Sequence, residues 1–471
     1  MKYKAKRKSR YSLTPVGWVA VGVLAVILVT VIIAIIASNA GGNSETFSSA
    51  VLTENDESSA ESDVTTEPER ELTVNVTLNK DKTVKLPDKI KTLITDYTKA
   101  RYEALGNLEV TEFNKYFDMD NKYGRMYAAF NNATLDYLIY IRQNRTADLR
   151  FYNADVTVNV TSVQVYDDEY IIDYYVNEAL SFNFTEEVSY SCNMTVQARA
   201  IRNDDGEFLF SQMAEDTDVN LLFEKPMVEA LGYDFSIYYL KELTLPDDFD
   251  SKAVISSTLK ELKASADENI LSHRNNLSEY NASPDSFKVD MTADNKYDRE
   301  KAVAYSYKWV GEDSVVRNPD YSNYSDFGGN CQNYASQCVL AGGVPMDCSG
   351  DYNAQWKWYG DEMSYYEEEY GRSGSWSGTE YFYEYCNNNT GSGLVAKTDG
   401  NIYSAQPGDI LQYVVDGWAN HSVVVSKVIY DDNGNVTEIL INSNTTDRKD
   451  YPLTAYGYTD IRLISIIGYN D

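Results

Sequence analysis

The sequence predicts an α+β protein with a single transmembrane helix, a middle domain built on an antiparallel sheet, and a carboxy-terminal α+β domain. Three observations support this fold class. Residues 16–37 carry no charged side chain, helical periodicity near Ile90 gives way to alternation near Val156, and a cysteine at a helix start precedes a histidine on a strand. The predicted segments are a basic cytoplasmic tail at 1–15, a transmembrane anchor at 16–37, a disordered acidic linker at 38–72, an α+β extracellular domain at 73–225, a helical connector at 226–295 and a second α+β domain at 296–471.

The amino-terminal stretch has the charge pattern of a membrane anchor. Lysines and arginines crowd the first ten residues, and the uncharged stretch at 16–37 follows them. A helix of about 20 apolar residues crosses the hydrocarbon core, and basic residues before it hold the N-terminus in the cytoplasm. A cleaved signal peptide is the alternative, since Ser38, Asn39 and Ala40 are suitable for a peptidase, but signal cores are usually shorter. We therefore expect a single-pass cell-membrane protein with extracellular domains.

Charge excludes one class of partner. The chain has 72 acidic and 41 basic residues, a formal net charge of −31 at pH 7. This balance argues against binding nucleic acid through the bulk surface.

Residues 38–72 are rich in serine, threonine and acidic side chains and poor in large apolar ones, so we expect a disordered tether there.

The middle of the chain changes from a helical to a strand pattern. Ile90 to Tyr97 recur at helical spacing, and the pattern continues to about Gln143. Alternating apolar residues then predict strands around Val156 and Val196, and a later helix carries Ile255. No catalytic constellation is visible in the α+β domain at 73–225, which we interpret as a spacer or interaction module. His273 lies in a polar run, so we expect it to be exposed and without a role.

Residues Gly328 to Gly343 read as a helix that carries a nucleophile. Two glycines allow a tight turn into the helix, Cys331 falls in its first turn, and two further glycines stop it. Unpaired N–H groups and the helix dipole favour a thiolate at that position, so we expect a pKa below that of a free cysteine. Cys338 lies two turns further on and is assigned to packing.

His421 is the predicted partner of Cys331. It opens a β-branched strand later in the chain, where a strand end can present its imidazole to a helix terminus. The order of cysteine first and histidine later on a strand is that of papain-type enzymes. A thiolate attacks the carbonyl, and the imidazole then protonates the leaving amine. The alternative is an ordinary packing or surface histidine.

The carboxy-terminal motifs resemble a known family. Residues from about 297 to 471 are similar to the amidase domain of Gram-positive bacteria related to the CHAP and NlpC/P60 papain-like peptidases and amidases. The resemblance implies a papain-like α+β fold, with Cys331 as nucleophile and His421 as base. It rests on the Arg-Asn-Pro-x-Tyr run at Arg317 to Tyr321, the Gly-Gly-x-Cys-x-Asn-Tyr-x-Ser-Gln-Cys stretch, Trp376, the Pro-Gly-Asp-Ile turn at Pro407 to Ile410 and the His421-Ser422 pair.

The remaining site residues are less determined by pattern. Asn330 stands where the family usually has aspartate before the nucleophile. Asn442 is the preferred third residue orienting the imidazole, with Asn444 as the alternative, because an amide oxygen can accept from the ring N–H. Further candidates are Gln332 and Asn330 for the oxyanion, besides the Cys331 backbone N–H, and Trp376 and Trp418 for the substrate cleft.

Together these patterns predict a membrane-anchored extracellular cysteine amidase or peptidase. It would hydrolyse an amide bond, in peptidoglycan or another cell-envelope substrate, through an acyl-enzyme. The alternative is a non-catalytic envelope-binding protein that uses the papain-like scaffold for docking. Two distant histidines cannot supply the usual zinc ligands, so no metal or cofactor is predicted. Five cysteines leave at least one free thiol, and Cys348 with Cys386 form a hypothetical disulfide.

Overall fold

The computed structural model describes residues 70–167, 169–232, 244–325, 328–348, 357–360 and 372–471. The predicted anchor at 16–37 lies outside these residues, as does nearly all of the predicted linker. Among the helices that are described, none is both long and apolar enough to cross a membrane. The described helices thus give no support to the predicted fold class with its transmembrane helix or to the predicted single-pass localisation, and neither is retained.

The first part of the described chain alternates helices with long strands. Strand β1 precedes two helices, four strands follow, and two helices then complete this part. The elements are β1 (Thr73–Lys80), α1 (Asp88–Asn107), α2 (Lys122–Gln143), β2 (Phe151–Tyr166), β3 (Glu169–Phe182), β4 (Val188–Arg202), β5 (Phe208–Glu215), α3 (Asp218–Leu231) and α4 (Ser251–Ala282).

The second part begins with helices and ends with strands. Its elements are β6 (Asn295–Lys296), α5 (Arg299–Lys308), α6 (Cys331–Ala341), α7 (Gly374–Ser377), α8 (Thr379–Asn388), β7 (Gly393–Thr398), β8 (Ile410–Val415), β9 (Trp418–Tyr430), β10 (Val436–Ser443), β11 (Asp447–Pro452) and β12 (Asp460–Asn470).

Short polar side chains set the beginnings of several helices. Asn121 caps α2 by accepting from the Tyr123 N–H, and Thr217 caps α3 by accepting from the Asn220 N–H. Asp250 caps α4 in the same way. Such caps satisfy backbone donors that have no partner inside the helix, so these boundaries follow from local sequence.

A single large mixed sheet joins both parts. Its strand order is β1-β2-β3-β4-β11-β10-β9-β8-β12-β6, with β5 added on β4 and β7 on β12. Strand β1 runs parallel to β2, and the other pairings between the named strands are antiparallel. The fold class is therefore a mixed α+β arrangement on one sheet, rather than an antiparallel middle sheet beside a separate papain-like domain.

The pairing of β11 with β4 connects the two parts. Asp447 lies opposite Cys192, Arg448 opposite Ser191 and Lys449 opposite Tyr190. One apolar core crosses this junction, since Phe182 and Tyr451 pack edge to face at 6.3 Å between ring centroids. A smaller core lies under α6 and contains Tyr334 and Trp376. The junction thus brings side chains of the first part beside α6.

His273 is buried, contrary to the sequence expectation. It lies on the face of α4 that also buries Ile270 and Leu277, and its side chain is 7% exposed. Its Nδ1 is 3.0 Å from Nη1 of Arg145. Burial and the neighbouring guanidinium both disfavour the imidazolium and lower the pKa of His273 to about 3. The spacing of Ile270, His273 and Leu277 places them on one face of the helix, and this spacing is the feature of the sequence that indicates a buried histidine.

This buried histidine predicts a loss of stability in acid. Because the folded-state pKa lies below the unfolded value of 6.5, the unfolded chain takes up the proton first. The contribution of His273 is fully present above pH 6.5 and decreases as the pH falls toward about 3. Between pH 7.5 and pH 5 this one group should remove about 2 kcal/mol of unfolding free energy.

Urea unfolding at both pH values measures this contribution. The His273→Gln variant should lose about 2 kcal/mol less between the two conditions than the unmodified protein. Carboxylates titrate in both proteins, so their effect cancels in the comparison. The same pH dependence in both proteins would contradict the prediction.

Candidate active site

Cys331 is the first residue of helix α6. Gly328 and Gly329 precede it with φ values of 103° and 116°, a left-handed backbone that glycine adopts without strain. The predicted tight turn is thus confirmed. After the helix the left-handed residue is Gly343, with φ of 94°, whereas Gly342 stays right-handed. Cys331 is 6% exposed, so very little of it is accessible to solvent.

His421 projects from strand β9 and lies beside two tyrosine rings that stack on each other at 4.5 Å between centroids. Its ring is stacked on Tyr413 of β8, with centroids 6.2 Å apart and planes inclined by 13°. Tyr456 lies 5.8 Å away on a tilted plane. These flat neighbours restrict the orientation of the partly buried imidazole.

Gln332 fixes helix α6 against strand β9. Its side-chain oxygen accepts from the Ser422 hydroxyl at 2.7 Å and from the Gln412 amide at 3.4 Å. Its amide nitrogen donates to the Ser336 hydroxyl at 3.1 Å. Since Gln332 follows Cys331 and Ser422 follows His421, these buried bonds set the position of the nucleophile relative to the base.

Cys331 and His421 line the same cavity, which measures about 180 Å³. Gly329, Thr445 and Arg448 contribute to its wall from the second part of the chain. The first part also contributes, through the residues around the amino terminus of α3. These are Asp216, Thr217, Asp218 and Leu221. The cavity is therefore built from both parts of the chain, although the motifs occur in only one.

Burial decides the protonation state of the nucleophile. It raises the pKa of the Cys331 thiol, although backbone N–H groups of Ser422, Gln332 and Cys331 itself act in the opposite direction. The predicted depression of this pKa is wrong, because desolvation outweighs the effect of the helix terminus. The resting side chain is a thiol.

His421 is neutral at ordinary pH. Burial and, to a smaller extent, the Arg448 guanidinium lower its pKa to about 4, although the Asp218 carboxylate partly opposes them. Arg448 and Asp218 form an ion pair at 3.3 Å, and Asp218 also accepts from the Gly457 N–H. The resting pair is thus a thiol beside a neutral imidazole.

Comparison with protein families finds a match to the part of the chain that carries Cys331 and His421. Residues 296–467 match the family model described as "putative amidase domain". This match supports the amidase part of the resemblance, but not the CHAP and NlpC/P60 families specifically. It indicates a hydrolase of amide bonds. We refer to residues 296–467 as the amidase-like domain.

A curated relative is similar to part of the chain. The uncharacterized protein YhbB of Bacillus subtilis (strain 168) is 34% identical over 156 residues. The alignment covers 33% of this chain and 43% of YhbB, so the chain spans less than half of that relative. No solved structure matches the chain.

The two candidate orienting residues do not reach the imidazole. Asn442 donates to the Ser306 hydroxyl at 2.9 Å and accepts from the Asp450 N–H at 2.9 Å. Asn444 accepts from Asn330 at 2.8 Å and donates to the Trp309 carbonyl at 3.2 Å. Both amides are therefore occupied elsewhere, and in the described part of the chain no side chain is hydrogen-bonded to His421.

Asn330 supports the loop before the nucleophile. Its side-chain oxygen accepts from the Tyr324 N–H at 3.0 Å and from the Asn333 amide at 2.9 Å. Its side-chain nitrogen donates to Asn444, and its backbone N–H donates to the Thr445 hydroxyl. The geometry thus gives Asn330 and Gln332 positioning contacts, each through its side-chain oxygen and one of its two amide N–H groups.

The two candidate cleft tryptophans lie in different environments. Trp376 is fully buried, donates to Asn333 at 2.7 Å and stacks on Tyr321. It therefore belongs to the core under α6 and cannot line a substrate cleft. Trp418 is 54% exposed at the start of β9 and contacts Tyr381 edge to face. It is not among the residues lining the Cys331 cavity.

Sequence reasoning missed Asp218 and Arg448. They are 230 positions apart, and only the pairing of β11 with β4 brings them together. Neither lies in a motif, although Asp218 follows the capping Thr217.

The five cysteines are all free thiols, so the hypothetical disulfide between Cys348 and Cys386 is absent. Among the residues with described positions, no group of three or more histidine, cysteine, aspartate or glutamate side chains could hold a metal ion.

The contacts of Asn330 predict how much stability is lost when it is replaced by aspartate, the residue usual at this position in the family. Asn330→Asp replaces the amide that donates to Asn444 with a buried carboxylate oxygen. An acceptor would then face an acceptor, which should lower the unfolding free energy by about 1–3 kcal/mol. Urea unfolding at pH 7 measures the change. Asn433→Asp in an exposed turn is the matched control, and equal stability of the two variants would contradict the prediction.

Proposed function

We propose that the cavity containing Cys331 and His421 is the active site of a cysteine-dependent amidase or peptidase. The observation that carries the proposal is the convergence of the two side chains, from a helix terminus and a strand, on one cavity. The bond between Ser422 and Gln332 supports it, because it ties the two elements at the residues following the pair. The match to an amidase domain agrees with this chemistry.

The proposed reaction begins from the neutral pair. As the sulfur attacks the substrate carbonyl carbon, His421 takes the proton from the Cys331 thiol, so a free thiolate need not accumulate. The imidazolium then gives this proton to the leaving amine as the C–N bond breaks, leaving a thioester on Cys331. Water, deprotonated by His421, attacks the thioester and releases the carboxylic acid and the thiol.

Backbone donors are better placed than side chains to stabilise the oxyanion. The N–H groups of Cys331, Gln332 and Ser422 already favour negative charge on the Cys331 sulfur. A tetrahedral intermediate on that sulfur carries its oxyanion two bonds away, within reach of the same group of donors. The side-chain amide of Gln332 remains bonded to Ser422 and Ser336.

Peptidoglycan is the substrate that we propose for this chemistry. The support is the amidase description of the matched family, together with a cavity of about 180 Å³, whose size suits a peptide stem rather than a folded protein. A non-catalytic docking function is the second candidate. The observation that favours it is the lack of an orienting hydrogen bond on His421 within the described residues.

Replacement of the nucleophile separates these candidates. Cys331→Ala removes the attacking sulfur, so release of new amino groups from purified peptidoglycan should fall to the level without protein. His421→Ala should reduce the rate by about 100-fold or more, since general base catalysis contributes about that much. Cys348→Ala, a cysteine outside the cavity, is the control and should retain activity. Unchanged release by Cys331→Ala would refute the cysteine mechanism.

Labelling of the thiol tests its protonation state. Because burial raises the pKa of Cys331, its reaction with iodoacetamide should have a pH midpoint above that of an exposed cysteine. Cys331 should still react faster than Cys338, which is 0% exposed against 6% for Cys331. Peptide mass spectrometry of timed samples distinguishes the two. A midpoint for Cys331 below that of exposed cysteine would contradict the protonation state described above.

A further inference from the structure

A second cavity adjoins the Cys331 cavity on the side of the first part of the chain. It measures about 80 Å³ and lies between helix α1, strands β3 to β5 and strand β11. A single water needs about 10–15 Å³, so this volume holds several waters or one small organic molecule. Thr217, Asp218 and Arg448 line both cavities, and they form the wall between them.

Three guanidinium groups and three carboxylates line this cavity. Arg101 pairs with Glu215 at 3.0 Å, and Arg448 pairs with Asp218 at 3.3 Å. The remaining guanidinium, of Arg142, and the remaining carboxylate, of Glu178, are hydrogen-bonded to neutral groups.

Arg142 donates to the Tyr451 hydroxyl and the Ala455 carbonyl. Glu178 accepts from the Tyr102 hydroxyl at 2.5 Å, and no described cation pairs with it within 4 Å. The cavity is thus neutral overall but retains one separated positive and one separated negative charge.

Hydrogen-bond donors on the cavity wall also lack acceptors. The Arg101 Nη1, the Arg448 Nε and the Tyr174 hydroxyl have no hydrogen-bond partner among the described residues. These side chains are 8%, 7% and 2% exposed. A buried polar atom without a partner costs about 1–3 kcal/mol, more for a charged group. The wall therefore requires acceptor atoms near Arg101 and Arg448.

We propose that this cavity binds a small α-amino acid as a zwitterion. The carboxylate accepts from Arg101 Nη1 and Arg448 Nε, and the ammonium donates to Glu178. Such a ligand satisfies the orphaned donors and the separated carboxylate without changing the neutral charge balance, which a simple anion or cation would disturb. Met194 and Val196 add apolar wall for a side chain no larger than a methyl group. This binding is distinct from the proposed hydrolysis.

Calorimetric titration of the full chain carrying Cys331→Ala tests the proposal without turnover. The probes are glycine, L-alanine and D-alanine, with acetate and methylamine as the separate halves of the zwitterion. At least one amino acid should bind, and acetate and methylamine should bind at least about tenfold more weakly, since each lacks one charged contact.

Two further replacements localise the binding. Arg101→Lys keeps the charge beside Glu215 but deletes the Nη1 donor, and Glu178→Gln removes the acceptor charge. Each should weaken binding at least about tenfold. Arg199→Lys is the matched control. Arg199 lies on strand β4 and pairs with Glu169 at 2.7 Å, as Arg101 pairs with Glu215, but it does not line the cavity. Thermal melting of each variant establishes that it is folded.

Three results would overturn the proposal: no binding of any of the three amino acids, equal binding of acetate, or binding unaffected by both cavity replacements. The first means that water alone satisfies the cavity, the second that the ligand is an anion, and the third that the amino acid binds elsewhere. Since the protein tested has no nucleophile, these results are independent of whether the Cys331 site hydrolyses amides.

Discussion

The antiparallel pairing of β11 with β4 is the contact on which the remaining structure depends. It merges the strands of both parts into one sheet and sets Arg448 opposite Ser191. In that register Arg448 meets Asp218 at the start of α3, and the ion pair becomes a common wall of the two cavities. The first part of the chain is therefore a component of the site, although it carries no catalytic motif.

Electrostatics at the site result from burial more than from helix geometry. The amino terminus of α6 supplies donors to Cys331, yet desolvation raises the pKa of its thiol, and the same effect together with Arg448 lowers the pKa of His421. Both shifts favour neutral forms, because a dry cavity stabilises a charge only when a partner is in direct contact. In the proposed mechanism such a pair exchanges its proton during attack, as a serine and a histidine do.

The sequence predicts elements that depend on neighbouring residues in the chain. It does not predict contacts that form only when distant strands pair in the sheet. The glycines around Cys331, the strand of His421 and the alternation near Val156 are signals within a few residues, and the structure places these elements as expected. Position along a strand or in a motif predicts site roles for Asn442 and Trp376, but the orientation of their side chains depends on neighbours such as Ser306 and Asn333. Asp218 and Arg448 meet only through long-range strand pairing, for which no short pattern exists.

Because strands of both parts form one sheet, the region that matches the family is smaller than the region that folds together. The family match covers 296–467, but β11 within it has β4 as one of its two neighbours. A fragment cut at the homology boundary would expose the unpaired edge of β11 and the apolar side chains, such as Tyr451, that pack on the first part. An isolated fragment of this kind would be prone to associate through that edge, so the amidase-like domain needs the first part of the chain to cover it.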